Sequence, residues 1–301
     1  MNPILPLMQR EWLQHRFAWA LLALLPPGLA LMVAAFADVN VDGESLAEVG
    51  EARLAPVIAL GSMAAGTMLL FVILWVSSLI IISGLARRDH GDRSNEFWMS
   101  LPVGHGPSLA VPLAVHLLLV PAAALAVGLL SGWALSLVLV GRYVGVGEWF
   151  ALPWGAVLGA ALAVLGRLLA GLLLATLWVS PLVMLLILAN AWFRRWGLVV
   201  LVVGIGIGGW LMDRVFGQPI VTDLVGDLLI HAGRSLLGAS GQSMDVGRNE
   251  SADIVLSLVP GWAWHDLLAA LRMLASPLLA GALLFAGACF ALLVDWRRRA
   301  V

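Results

Sequence analysis

Six stretches of this sequence are apolar and long enough to cross a lipid bilayer as helices. An α-helix rises about 1.5 Å per residue, so crossing the roughly 30 Å hydrocarbon core takes about 20 apolar residues. Hydrophobic residues make up 61% and charged residues 12% of the 301 positions, a composition that excludes an ordinary soluble domain. We therefore expect an all-α integral membrane protein with six transmembrane helices, at about 17–37, 56–85, 109–141, 154–191, 197–212 and 274–294.

All 17 basic residues are arginines, and their distribution predicts the orientation of the six spans. With the N-terminus in the cytoplasm, the cytoplasmic segments carry ten arginines and five acidic residues, whereas the opposite face carries six arginines and thirteen acidic residues. Because basic residues concentrate on the cytoplasmic side of a membrane, we expect both termini there. Leaving out the shortest span, 197–212, would move the C-terminus to the other side.

The residues before the first span form an amphipathic pattern. Ile4, Leu5, Met8 and Trp12 recur at helical spacing, with the polar side chains of residues 1–16 on the other side. The pattern predicts a helix lying flat on the inner membrane surface. A simple anchor for the first span would explain it equally well.

The longest polar stretch on the predicted cytoplasmic face is the loop 86–108. Ser94 begins a possible short helix with Phe97 and Trp98, which Pro102 ends. Aromatic side chains among mixed charges are typical of a docking surface for a soluble partner. The alternative is a positively charged loop that only fixes the topology.

On the opposite face, residues 213–273 form a loop for which we expect short helices capping the outer mouth rather than an independent domain. Helical spacing of apolar residues runs from Val221 to Leu236 within it. Arg167 falls at the outer end of the long fourth span. We expect it to snorkel toward the headgroups or to contact another helix, rather than to bind substrate.

Several chemistries have no support in the sequence. The six histidines show no metal-ligand spacing. His116, the one histidine in a predicted span, has no acidic residue near it in the chain. Every aspartate and glutamate falls outside the predicted spans, unlike in a typical proton-driven transporter. The chain has no lysine and therefore no G-x-x-x-x-G-K-[ST] phosphate-binding loop. We expect no catalytic, cofactor or metal site in this chain.

Glycine pairs predict close helix packing instead. Gly204 to Gly209 formally matches G-x-G-x-x-G, but it lies inside the fifth span without a preceding strand, so dinucleotide binding is excluded. Small residues in membrane helices let neighbouring backbones approach. We interpret these glycines, Gly128/Gly132 and Gly155/Gly159 in that way, and consider Gly128/Gly132 for the seam between two copies of the chain.

The order of these features resembles the ABC-2 type permease family. The similarity begins with Arg10-Glu11-Trp12 before two spans. It continues in Asp92-Arg93 followed by Phe97-Trp98-Met99-Ser100-Leu101-Pro102-Val103, and in Leu177-Trp178-Val179-Ser180-Pro181 and Ala191-Trp192-Phe193-Arg194-Arg195 of the fourth span and its inner end. The resemblance covers most of the chain.

The resemblance implies a half-transporter in the bacterial inner membrane, which pairs with a second copy of itself and with two separate ATPase subunits. ATP and Mg²⁺ would then be bound by the ATPase, in keeping with the missing lysine. Residues 1–16 would be the connecting helix, with Arg10, Glu11 and Trp12. The coupling contacts with the ATPase would come from Arg93, Glu96, Phe97, Trp98, Ser100, Leu101 and Pro102.

The family's usual work implies export of a lipid, peptide or other amphipathic compound. Two other classes remain open at this point. One is a membrane scaffold or mechanotransmission subunit of an ABC complex that does not itself transport. The other is an intramembrane enzyme, for which the sequence offers no paired polar residues at one depth.

Overall fold

A computed structural model describes residues 4–37, 51–85, 104–241 and 252–299 of the chain. Every regular element in these ranges is helical, which confirms the expected all-α class. The helices are α1 (Ile4–Phe36), α2 (Glu51–Ser83), α3 (His105–Ala114), α4 (Val120–Val140), α5 (Val146–Ala151), α6 (Trp154–Phe193), α7 (Gly197–Phe216), α8 (Ile220–Leu236), α9 (Ala252–Arg272) and α10 (Pro277–Arg299). A short π-helical turn at Val115–Leu119 joins α3 and α4 into one rod. After a second such turn at Gly141–Gly145, Gly145 has a φ of +130° and α5 folds back on α4, so that Trp149 Nε1 donates a hydrogen bond to Ser136 Oγ at 2.9 Å.

Within the described ranges, seven helical stretches are long and apolar enough to cross a membrane, one more than the sequence predicted. Six of them overlap the predicted spans. The seventh, Ile254–Ala275, lies in the predicted outer loop and has the lowest mean hydropathy of the set, 1.4. Asp266 and Arg272 interrupt its apolar pattern, which is why hydropathy alone assigned it to the loop.

The first helix differs from the predicted arrangement of an interfacial helix followed by a separate span. Helix α1 continues without a break through Arg16, so residues 4–16 extend the span along the same axis. Its 33 residues correspond to about 50 Å, well beyond the hydrocarbon thickness. A continuous helix also keeps its backbone hydrogen bonds satisfied as it leaves the lipid.

Helix α6 is the centre of the bundle. In the most apolar 18-residue stretch of α6, 61% is buried inside the protein, whereas the figure for α7 is 6%. Helix α6 is buried because α7, α8, α9 and α10 all pack around it. Trp178 and Ile187 are fully buried at its core. Helices α8 and α9, from the predicted outer loop, therefore belong to the same bundle and do not form a separate domain.

Helices α2 and α4 approach each other closely, and glycines permit it. A Cβ added at Gly132 would lie 2.5 Å from Met63 Cα, and one at Gly128 would lie 2.6 Å from Thr67 Cα. Gly66 faces Gly128 and Gly132 from the other helix. Close packing at Gly128 and Gly132 was predicted correctly, but they meet α2 of the same chain. They are therefore not exposed for the seam with a second copy.

The other predicted small-residue contacts are mostly open. Added Cβ atoms at Gly155 and Gly159 would have no neighbour within 4 Å among the described residues, so the prediction of close packing there is wrong within one chain. The same holds for Gly204 and Gly208 on α7, whereas Gly209 lies against Thr222. Gly204 and Gly208 therefore have no close neighbour in the described chain, although Gly204 borders an apolar cavity between α6 and α7.

Candidate functional site: a buried glutamate-histidine cluster

The predicted site residues divide into two groups. Only Arg10, Glu11 and Trp12, at the start of α1, belong to the described part of the chain. The predicted coupling residues fall in 86–103, outside the described residues: Arg93, Glu96, Phe97, Trp98, Ser100, Leu101 and Pro102. The candidate site that the structure describes therefore begins on α1.

The N-terminal part of α1 exposes apolar side chains and buries a polar one. The apolar residues Leu5 and Trp12 are 61% and 58% exposed, whereas the Glu11 side chain is fully buried. A buried carboxylate is costly unless it finds a partner in the protein interior.

That partner is His116, 105 residues away in the sequence. Glu11 Oε2 lies 3.2 Å from His116 Nε2, and both side chains are fully buried. His15, one helical turn after Glu11, brings its Nε2 to 4.0 Å from the same oxygen. The ligand atoms of Glu11, His15 and His116 all lie within 4.8 Å of one another. We refer to these three residues as the Glu-His cluster.

The Glu-His cluster brings together residues that the sequence analysis did not connect. Three side chains that could act as metal ligands lie close together, and an acidic side chain lies buried beside His116. The local signal was present, because Glu11 and His15 are four residues apart and so share one face of a helix. The contribution of His116 depends on tertiary packing and has no local signal.

A π-helical turn positions His116. Residues Val115–Leu119 form this wider turn, in which the Val120 amide donates to the Val115 carbonyl. Pro121 follows and has no amide hydrogen, so a regular α-helix would lose a hydrogen bond here and clash with the preceding turn. The wider turn accommodates the proline. Such turns are frequent at functional sites because they change the direction of a side chain.

Aromatic and apolar side chains surround the cluster. The Trp19 ring centroid lies 5.5 Å from that of His15 and 5.4 Å from that of His116. An apolar cavity of about 410 Å³ opens beside it, between α1, α2 and α4. Its lining residues are Met8, Trp12, Trp19, Ala20, Ala23, Leu74, Val115, Leu119, Val120, Ala123, Ala124 and Val127. The polar atoms of the cluster thus lie at the edge of a largely apolar space.

A second buried polar group joins α6 and α9. The Arg167 guanidinium donates from Nε to Asp266 Oδ2 at 2.9 Å and from an Nη atom to the Ser235 carbonyl at 2.9 Å. Asp266 also accepts hydrogen bonds from the backbone amides of Gly238 and Ser240. Arg167 is 2% exposed, so it does not snorkel to the headgroups and instead makes the alternative contact between helices.

The two groups differ in what they can do chemically. Asp266 accepts several hydrogen bonds and an ion pair, so its carboxylate is fully used in holding the loop after α8 against α6 and α9. In the Glu-His cluster, one carboxylate faces two imidazoles, a set that can share a proton or bind a cation. The cluster is therefore the stronger candidate for a functional site.

The fold defines a multi-pass, all-α membrane protein. No protein-family model, curated protein or solved structure matches the chain. The likeness to ABC-2 type permeases thus rests on the sequence motifs.

Proposed function

We propose that the chain is the permease subunit of an ATP-driven transporter of the ABC-2 type. A separate ATPase subunit hydrolyses ATP, and the permease uses the motion to export a lipid, peptide or other amphipathic compound across the inner membrane. The observation that supports this most directly is α1. It is one helix from its N-terminal extension through its apolar part, and Glu11 binds it to His116 on the rod formed by α3 and α4.

This arrangement suits the transmission of force. A displacement at the N-terminal end of α1 moves the helix as far as Pro26 and Pro27, because no proline lies between its first turn and Pro26 and this part of the helix is stiff along its axis. The buried contact between Glu11 and His116 then passes the displacement to the α3–α4 rod, which packs against α2. ATP binding closes the two ATPase subunits and thereby favours one of two packings of the spans.

We assign ATP hydrolysis to a partner subunit because the chain lacks the usual nucleotide-binding loop. It contains no lysine at any of its 301 positions, and hence no phosphate-binding loop of the usual kind. ATP and Mg²⁺ therefore belong to the partner subunit. The ATPase docks on the loop 86–108, through Phe97 and Trp98 with Arg93 and Glu96 at their side.

The proposed topology has six spans and both termini in the cytoplasm of a bacterium, with α9 remaining on the outer side. Three consecutive arginines end α10, at Arg297–Arg299. A crossing by α9 would place them on the outer face, against the rule that basic residues stay inside. Two copies of the chain form a homodimer, because two ATPase subunits need two docking sites.

The test is a Phe97→Ala/Trp98→Ala double variant of the full chain, purified from native membranes in mild detergent. The wild-type protein should carry an ATP-hydrolysing subunit that co-purifies with it. The variant should insert normally and lose this activity, since truncating a buried interface aromatic costs about 2 kcal/mol or more.

The matched control is Trp192→Ala/Phe193→Ala, an adjacent aromatic pair that is 58% and 49% exposed and lies on the same proposed face of the membrane. It should retain the ATPase. Wild-type recovery of ATPase with the Phe97/Trp98 variant, at unchanged ATP turnover, would refute the docking role. A wild-type chain that never carries an ATPase would refute the permease function.

A further inference from the structure

We propose that Glu11, His15 and His116 bind one divalent transition-metal ion, for which Zn²⁺ is the best match, between α1 and the π-helical turn at Val115–Leu119. The proposal does not depend on the transport function. It rests on the chemistry of the three side chains, on their geometry and on their burial.

The donor set is one carboxylate and two imidazoles. This combination binds Zn²⁺ and related first-row ions in proteins, with a fourth position left for water or another ligand. Softer ions need thiolates, and Mg²⁺ and Ca²⁺ prefer oxygen donors throughout. The ligand chemistry therefore favours Zn²⁺.

The distances fit a site that closes slightly on binding. Zn²⁺ holds its nitrogen and oxygen ligands at about 2.0–2.1 Å, so two ligands of a tetrahedral site lie about 3.3 Å apart. Glu11 Oε2 is 3.2 Å from His116 Nε2 and 4.0 Å from His15 Nε2. The three ligand atoms lie within 4.8 Å of one another, so the His15 nitrogen moves toward the other two ligands when all three bind one ion.

Burial places the carboxylate and one imidazole away from bulk water. The side chains of Glu11 and His116 are fully buried between two helices. A metal ion at this point interacts directly with the buried carboxylate and leaves both imidazoles neutral, which is the form in which histidine ligates.

The surroundings of His116 orient its ring toward Glu11. The π-helical turn aims its ring at Glu11, and Trp19 packs against the ring edge-on at 5.4 Å between centroids. Its other ring nitrogen, Nδ1, is buried without a hydrogen-bond partner among the described residues. The ring is therefore oriented through Nε2 alone, the atom that faces the cluster.

The metal would link two elements that are far apart in the sequence. It would join the N-terminal part of α1 to the π-helical turn between α3 and α4. Because binding occurs only in the folded arrangement, the ion should stabilise the native bundle in proportion to its concentration above the dissociation constant.

The experiment uses the full-length protein in lipid nanodiscs, first treated with a chelator and then titrated with ZnCl₂ by calorimetry. We expect one Zn²⁺ per chain and a rise in the thermal unfolding midpoint. CoCl₂ should give the intense visible absorption bands of a four-coordinate ion with nitrogen and oxygen ligands, a readout that a hydrogen-bonded cluster without metal does not produce.

His15→Ala is the decisive variant, because the His15 side chain is 21% exposed and its loss should leave the fold intact. It should bind Zn²⁺ at least about tenfold more weakly, since even the loss of an outer contact to a metal ligand has an effect of that order. His116→Gln and Glu11→Gln should behave similarly. His265→Ala, at an exposed position on α9, is the control and should bind as the wild type does.

Three results would overturn the proposal. The first is a wild-type chain that takes up no Zn²⁺. The second is equal affinity in the His15→Ala and His265→Ala proteins. The third is stabilisation by protons without any uptake of metal, which would identify the cluster as a hydrogen-bonded carboxylate–imidazole group only.

Discussion

Arg167 and Asp266, 99 residues apart in the sequence, form an ion pair that is almost completely buried, with an Nη atom of the guanidinium 2.7 Å from Asp266 Oδ2. The pair joins α6 to α9. The Asp266 carboxylate also accepts hydrogen bonds from the backbone amides of Gly238 and Ser240. Arg167 donates hydrogen bonds to the last two carbonyls of α8. Three segments of the chain thus meet at one pair of opposite charges.

Breaking this pair should destabilise the bundle strongly. In Asp266→Asn, the buried Arg167 charge loses its compensation, at a cost of about 3–5 kcal/mol. We expect a lower thermal unfolding midpoint in detergent. The control is Asp295→Asn, which removes an equally short but exposed pair with Arg299 on α10. Exposed pairs contribute about 0–1 kcal/mol, so similar losses of stability in the two variants would contradict this interpretation.

Packing between α2 and α4 should not tolerate a methyl group. Gly132→Ala places a Cβ 2.5 Å from Met63 Cα, where backbone must move. The expected loss is about 1–3 kcal/mol of unfolding free energy. Gly159→Ala on α6 is the matched control, because its added Cβ meets no atom within 4 Å. Alanine is more favourable than glycine in a helix by up to about 1 kcal/mol, so the Gly159→Ala control should be as stable as the wild type or more stable. Equal losses of stability in Gly132→Ala and Gly159→Ala would contradict the close packing of α2 and α4.

Helix α7, with Gly204 and Gly208, is our candidate for the interface between the two copies of the proposed homodimer. Gly204 and Gly208 lie one turn apart on a helix of which only 6% of the apolar window is buried. Gly204→Leu/Gly208→Leu should reduce the dimer fraction measured by cross-linking in the membrane, because the side chains hold the two helices apart. Gly28→Leu, on the exposed face of α1, should not. An undiminished dimer in the double variant would assign the seam elsewhere.

The six-span topology can be separated from a seven-span one by single cysteines in a Cys289→Ala background. An impermeant thiol reagent added to intact cells should label Ser45→Cys and Ser243→Cys and should spare Ser94→Cys. It should also spare Ala300→Cys, because the C-terminus is cytoplasmic in the six-span arrangement. Labelling at position 300 would show that α9 crosses the membrane, and labelling at position 94 would reverse the orientation.

The apolar elements were predictable because hydropathy is a local property of the chain. Each predicted span overlaps a helix of the structure, from α1 to α10. Apolar length against bilayer thickness is sufficient for that assignment. Hydropathy alone leaves the place of α9 open, because Asp266 lowers its mean hydropathy although the charge is compensated inside the bundle. A hydropathy scale assigns each charged residue the full cost of leaving water, and it cannot include a compensating partner from another helix.

The partners of the buried polar residues could not be predicted from the sequence. The 3.6-residue period of α1 was visible in the sequence, but tertiary packing decides which side is buried, and Glu11 turns inward while Trp12 turns outward. The partners His116 and Arg167 were each visible as unusual residues in apolar segments, without any sign of what they would meet.

The chain alone therefore specifies which segments enter the membrane and which residues there need compensation. Tertiary packing specifies the pairing, Glu11 with His116 and Arg167 with Asp266. The reason is that burying a charge is costly wherever it happens, whereas the contact that offsets the cost comes from residues about 100 positions away, brought near only when the helices pack.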